Sequence, residues 1–307
     1  MNELPANEDI TDEFDRQGLF EGWSEIGRNA SRLPVIKFAA KTDLGRVREN
    51  NEDKFDFYEP EDPGVQATKG FLYAVADGMG GHSAGQVACE LALTTVIREY
   101  YADPSSDIHN SLRKAASVAN ALVWETSQMI RERNGMGTTL TVAVIREDTL
   151  TLAQIGDSRA YLLRDGVLTQ LTEDHSWVAE QVRMGAMTAD DAGLSPFRNL
   201  LTRSIGTAPK VDADISNFSL VESDVILLCT DGLSGHLTGD DLQSYMSEYC
   251  LSAAVMRMID EANERGGQDN ITAALIAVRQ FVPIEKTPDN GTSTSSPSIL
   301  NCDADNE

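Results

Sequence analysis

The chain has 307 residues, 41% of them hydrophobic and 24% charged, and 49 Asp and Glu against 25 Lys and Arg give a formal net charge of −24. That composition excludes disorder throughout, and the charge argues against non-specific binding to nucleic acid or to an anionic membrane, since both need clusters of Lys and Arg. One catalytic domain is expected, because mixed units of this length commonly share a single core. The cysteines Cys89, Cys229, Cys250 and Cys302 show no C-x-x-C spacing, which fits reduced thiols in a cytoplasmic protein. Residues 1–15 carry neither the basic nor the apolar region of a signal peptide. No apolar run approaches the ~20 residues that a membrane-spanning helix requires.

In chain order, residues 1–33 are acidic without a steady period and are expected to form an extension, either a docking arm or a solvated leader. Short strands are expected at 35–40, 55–58 and 71–76. Apolar residues Cys89, Leu93, Val96, Ile97 and Tyr100 recur at helical spacing within 84–101, and a second long helix is expected over 107–133, closed by Gly135 and Gly137. Leu140, Val142 and Val144 alternate with small residues, then Arg146-Glu147-Asp148 turns into Leu150 and Leu152, which predicts a hairpin. A second hairpin is expected for 159–164 and 167–171 around Asp165-Gly166. Strands at 225–229 and 271–278 and helices at 238–248 and 251–265 follow. From about residue 283, Pro, Thr, Ser, Asn and Asp predict a flexible tail, so the domain is placed at 34–282. This order lacks the strict strand-helix alternation of a parallel sheet, so antiparallel sheets with helices packed outside are expected.

Four acids stand in glycine-flanked turns just past apolar runs: Asp77 in Ala76-Asp77-Gly78-Met79-Gly80-Gly81-His82, Asp157 in Gly156-Asp157-Ser158-Arg159, Asp231 in Thr230-Asp231-Gly232, and Asp269 in Gly267-Gln268-Asp269-Asn270. A carboxylate at the end of a buried strand lies close to the interior, where an unpaired charge is costly, so four together imply a divalent cation. Taken singly, an Asp-Gly pair is more often a turn in which Gly supplies positive φ. Without a Cys/His cluster, hard oxygen-preferring ions fit better than zinc.

Together with Gly45-x-x-Arg48-x-x-Asn51-Glu52-Asp53 and Gly137-Thr138-Thr139, these stretches resemble, in order, the metal-dependent protein phosphatases of the PPM family, in particular the compact bacterial serine/threonine enzymes. The resemblance runs from about residue 38 to 278. It implies an α+β fold, a four-layer α-β-β-α sandwich of two central antiparallel sheets flanked by helix pairs. It further implies hydrolysis of phosphoserine and phosphothreonine by a metal-bridged hydroxide, opposing a Ser/Thr kinase in bacterial signalling. Two Mn²⁺ or Mg²⁺ ions per chain, with a third in some states, are the implied cofactors. Phosphorylated proteins and a cognate kinase are the implied partners of a cytoplasmic monomer.

Carried over residue by residue, the resemblance makes Asp77 the ligand bridging both ions and the carbonyl of Gly78 a ligand of one. Asp231 and Asp269 hold the other, Glu52 and Asp53 act through water or as outer ligands, and Asp157 joins Asp231 at the third ion. Arg48 is the phosphate-binding arginine, and His82 the general acid to the leaving alkoxide. His175, in Asp174-His175-Ser176-Trp177, opens a mobile flap over 172–207 that includes Met184, Met187 and Phe197. Blander readings stand beside these: Arg48 as a surface ion pair to Glu49 or Glu52, His82 as a helix cap, Asp157 tied to Arg159, the flap Met and Phe as packing residues, and Thr138 and Thr139 as strand residues. Two other functions stay open, a pseudophosphatase that binds a phosphoprotein without turnover and a phosphatase for an anti-sigma antagonist.

Overall fold

The apolar runs pair into two five-stranded antiparallel sheets in the computed structural model, which describes residues 32–81 and 83–284. One sheet has the order β1 (Arg32–Asp43), β12 (Ile271–Pro283), β11 (Val225–Cys229), β8 (Arg159–Arg164), β9 (Val167–Gln170). The other runs β10 (Asp214–Ser219), β7 (Thr149–Ile155), β6 (Leu140–Arg146), β3 (Phe71–Ala76), β2 (Lys54–Tyr58), and a short pair is made by β4 (Gly78–Met79) and β5 (Gly137–Thr138). Because side chains alternate along a strand, β3 sends Tyr73 and Val75 into the space between the sheets, where they meet Leu162, Ile226, Leu228 and Ile276. Its Leu72, Ala74 and Ala76 face the opposite way. Both faces are buried, which is why this strand reads as an unbroken apolar run.

The outward face of each sheet is covered by a helix pair. Helices α2 (Ala84–Ala102) and α3 (Ile108–Met129) lay Cys89, Leu93, Val96, Leu112 and Val123 against β3 and β6, while α7 (Gly239–Glu248) and α8 (Leu251–Glu264) lay Leu242, Val255, Met258 and Ile259 against β11 and β12. The result is the expected α-β-β-α sandwich. Each fully buried Leu, Val or Ile in these cores contributes about 1.5–3 kcal/mol relative to exposure.

The hairpins form where expected, the second through Asp165 (φ 50°) and Gly166 (φ 75°), the left-handed pair that a two-residue turn requires. The second long helix is shorter than its pattern suggested. It stops at Met129, Ile130 is extended, and a 3₁₀ turn occupies Arg131–Arg133. Its buried stripe runs out at Ser127 and Met129 is 80% exposed, so no packing holds a further turn. The closing strand exceeds 271–278 because pairing with β1 carries it to Pro283 across a bulge at Val35 and Ile36.

Helix α1 (Pro63–Lys69), capped by Asp62 with Pro63 in its first turn, escapes the periodicity reading because about two turns carry little pattern. So did β10, α4 (Trp177–Arg183) and α5 (Ala189–Leu194) in the flap, and α6 (Asp231–Ser234). Cys89 and Cys229 are buried free thiols and Cys250 is an exposed one. Among the described residues no helix is long and apolar enough to cross a membrane. The expected extension up to residue 31, the tail from residue 285 with Cys302, and His82 lie outside the described residues.

Candidate metal and phosphate site

Strand register brings the acid-bearing turns to one edge of the sandwich. Asp43 pairs with Ile271, Cys229 with Arg159, Leu140 with Ile155, and Lys54 with Ala76, so Asp53, Asp77, Asp157, Asp231 and Asp269 all leave the sheets at the same end. A cavity of about 420 Å³ is lined there by Arg48, Glu52, Asp77, Gly78, Asp157, Asp231 and Asp269. Asp157, Asp231 and Asp269 also face a cavity of about 830 Å³ beneath α4 and α5, and Asn199 of the flap borders both. Gly78 is required by this crowding, since a Cβ there would sit 2.5 Å from the backbone of Gly85 and 2.6 Å from the carbonyl of Glu52.

Each carboxylate is presented by its own local bonds. Asp53, 3% exposed, accepts through Oδ2 from Thr230 Oγ1 at 2.7 Å and Thr272 Oγ1 at 2.8 Å. Asp77 has its backbone fixed from both sides: its N–H donates to Thr139 Oγ1 at 2.8 Å and its carbonyl accepts from Thr138 Oγ1 and from the Thr139 N–H at 2.9 Å. Its side chain is left for the cluster. The loop before β2 is tied to the loop before β12 by Asn270, which accepts from the Glu52 N–H at 2.8 Å and donates to the carbonyls of Leu44 and Asn50.

Like charges crowded in a buried place raise one another's pKa. Burial, then the charges of Asp53, Asp231 and Asp157, hold the Asp77 carboxyl well above the carboxylate range. Burial also lifts Asp53 to about 7 against its two hydroxyl donors, with Asp231 and Asp269 adding repulsion. Asp157 rises to about 8 through burial and then Asp231, and Asp231 rises through burial foremost. Asp231 Oδ1 is buried without a hydrogen-bond partner. An all-oxygen set of crowded carboxylates with an orphaned oxygen fits hard divalent cations. The acids line a shared wall rather than a closed cage: among the described residues no three His, Cys, Asp or Glu groups already enclose a metal position. Hard cations complete their shells with carbonyl oxygens and water, so such a wall suffices.

Neighbours bear on two of the blander readings. Arg48, half-exposed at the rim, pairs with Asp269 through Nη2 at 2.6 Å, and the charge of Glu52 also acts on it. Arg159 gives its hydrogen bonds to Asp174, which accepts from its Nε and Nη2 at 2.7–3.1 Å, and acts on Asp157 through its charge. The helix after His82 begins at Ala84, and its N-cap Ser83 makes no side-chain cap bond. Thr138 and Thr139, expected foremost as strand residues with hydroxyls able to support the metal shell, clamp the Asp77 backbone, while Thr230 and Thr272 hold Asp53 and Asn270 ties two loops together. His175 is fully buried within a hydrogen-bonded junction at the flap root, and burial lowers its pKa.

The family model for protein phosphatase 2C matches residues 46–275. The serine/threonine phosphatase stp of Listeria monocytogenes is 37% identical over 242 residues, covering 77% of this chain and 93% of that protein. Among solved structures, the serine/threonine phosphatase of S. agalactiae superposes with a TM-score of 0.74 at 34% identity, covering 80% of this chain and all of the other. The catalytic domain of the phosphatase PstP, solved in complex with two manganese ions, superposes with a TM-score of 0.69 at 33% identity over 80% of this chain and 99% of that one. The chain belongs to the protein phosphatase 2C family.

Proposed function

We propose that the chain is a metal-dependent phosphatase that removes phosphate from phosphoserine and phosphothreonine in proteins and opposes a Ser/Thr kinase in bacterial signalling. The observation that carries this reading is the convergence of Asp77, Asp157, Asp231 and Asp269 with Arg48 on one cavity, where Asp231 keeps a buried oxygen unpartnered. Asp77, the Gly78 carbonyl, Asp231 and Asp269 would hold two Mn²⁺ or Mg²⁺ ions, Asp53 and Glu52 would orient them, and Asp157 with Asp231 would take a third. When bound, such a pair supplies an acidified water and neutralises charge on the phosphoryl group. The manganese in the related PstP domain supports this assignment.

The remaining work falls to the chain's own groups. Arg48 presents a planar, permanently charged fork at the rim, and the N–H groups not engaged with Asp269 suit two phosphate oxygens at once. His82 donates a proton to the leaving alkoxide, a task matched to an imidazole that titrates near neutrality. Asn199, Leu200 and Leu201 of the flap line the same cavity as Asp77. The same reading assigns residues 34–282 to the phosphatase domain, phosphorylated proteins as partners, and the cytoplasm as the place of action.

Hydrolysis of p-nitrophenyl phosphate and of a phosphothreonine peptide in Mn²⁺ tests this directly. Turnover should vanish in EDTA and in Asp77→Asn, and calorimetry should detect the divalent ion on the wild type. Undiminished turnover in EDTA, or no ion bound, overturns the assignment.

A further inference from the structure

The flap is joined to the sandwich at a buried junction built on His175. Its ring Nδ1 accepts from the Gly156 N–H at 3.1 Å and its backbone N–H donates to the Gly156 carbonyl at 2.9 Å, so this residue bonds both polar groups of Gly156, whose carbonyl also accepts from Gln154 Nε2 at 3.0 Å. A backbone N–H can only donate, so Nδ1 carries no proton and the ring proton sits on Nε2. That nitrogen lies 3.0 Å from Asp214 Oδ2, the carboxylate at the start of β10, whose other oxygen accepts from Arg203 Nη1 at 2.6 Å. The His175 carbonyl accepts from the Thr202 N–H at 2.8 Å, and Ser176 bridges Leu201. Both segments of the flap root, at 175–176 and 201–203, are therefore latched to one carboxylate and to each other.

Gly156 is the residue that turns the chain so that Asp157 enters the carboxylate wall. It adopts φ +104°, and a Cβ there would lie 2.6 Å from Thr139 Cγ2, the side chain whose hydroxyl accepts from the Asp77 N–H. A displacement of His175 thus has a direct path to Gly156, and Asp157 follows by one peptide bond.

We infer that His175 is a positioning residue that makes the flap and the Asp157 turn move as one body, so that flap placement over a bound phosphoprotein and the aim of Asp157 at the carboxylate cluster are set together. The inference rests on the phosphatase reading. Nδ1 faces inward to Gly156 and Nε2 outward to Asp214, so the two halves of the coupling can be cut separately. In His175→Asn the amide oxygen stands near the Nδ1 position and keeps the inner bond while the outer one is lost. In His175→Gln the amide reaches the Nε2 position and keeps the outer bond while the Gly156 N–H loses its acceptor.

The experiment compares wild type, H175N, H175Q and D214A for kcat and KM on a phosphothreonine peptide in Mn²⁺, with amide hydrogen exchange of 155–158 on the metal-free proteins and a melting scan to establish folding. H175N should keep kcat within about threefold of wild type and raise KM about tenfold, the weight of one buried hydrogen bond at the flap root, and D214A, which also frees Arg203, should raise KM at least as far with kcat similarly preserved. H175Q should instead lower kcat about tenfold and speed exchange at 155–158 by a similar factor. In H175N that exchange should stay at the wild-type rate. The double variant H175N/D214A should be no worse than D214A alone, since D214A already cuts the link that H175N removes. Equal kinetic profiles for H175N and H175Q, whether both intact or both impaired in the same constant, overturn the coupling. If H175Q fails to fold, additive effects of H175N and D214A, or unchanged KM in both, overturn it equally. A wild type that binds no Mn²⁺ and turns nothing over in its presence refutes the phosphatase reading itself, an outcome distinct from those above.

Discussion

Two places in the molecule bury charge, and they are built oppositely. Lys69, 1% exposed beneath α2 and α3, donates from Nζ to the Ser105 carbonyl at 2.7 Å and to Ser111 Oγ at 3.2 Å, with the Tyr100 ring centroid 5.0 Å away. At the catalytic edge the buried charges share one sign, push one another's pKa upward, and leave Asp231 Oδ1 without a partner. A buried charge whose partners are all internal is an element of the fold. Buried charges that repel one another are a receptor for something of opposite sign.

That contrast is broken most severely at Asp231. Asp231→Asn should lower phosphopeptide turnover in Mn²⁺ by at least about 100-fold, the upper range for disturbing an outer metal partner, while raising the melting temperature in EDTA because one repelling charge is gone. Turnover at the wild-type rate removes Asp231 from the site. Lys69→Ala should do the converse, costing about 2–4 kcal/mol in urea unfolding through lost packing and two unmatched oxygens while kcat and KM stay unchanged. A loss of activity in the folded variant would mean that Lys69 belongs to the site.

Stability against pH separates the two by sign. Asp53 at about 7 and Asp157 at about 8 in the folded protein lie above their unfolded value of 3.8, so the metal-free fold takes up protons first as pH falls. It should gain on the order of 1 kcal/mol or more between pH 8 and 4, a gain lost again as pH rises through 7 to 8. Lys69, lowered to about 8 by burial from 10.5, acts the other way: the unfolded chain binds the extra proton between those values, so stability rises with pH across that window. Urea midpoints across pH check both limbs, and saturating Mn²⁺ should flatten only the acidic one. The smallest change expected is at Thr238, whose side chain caps α7 reciprocally with Asp241 and bonds to neither buried charge. Thr238→Ala should cost about 1 kcal/mol without touching turnover.

Much of the architecture was legible because local chemistry and global packing agree. The run of β3 ends at Asp77 as its apolar pattern does, Asp165-Gly166 makes the turn its residue types require, and Cys89, Leu93 and Val96 mark the buried stripe of α2. The errors fell where packing overrides pattern. α3 stops at Met129 although its sequence continues in helical spacing, because nothing packs against the next turn. The flap helices were missed for the reverse reason, since elements of seven and six residues with exposed Met184 and Leu194 leave too little periodicity to read.

By itself the sequence determined which acids stand at strand ends, because an apolar run broken by Asp-Gly is a local statement about burial and backbone freedom. Only the tertiary structure decided what those acids meet. Thr230 reaches Asp53 across 177 positions, Arg48 reaches Asp269 across 221, and the latch of His175 on Gly156 and Asp214 closes three segments on one imidazole. Hydrogen bonds of a few ångströms depend on strand register, and register is fixed by the packing of both sheets and not by any one stretch of chain.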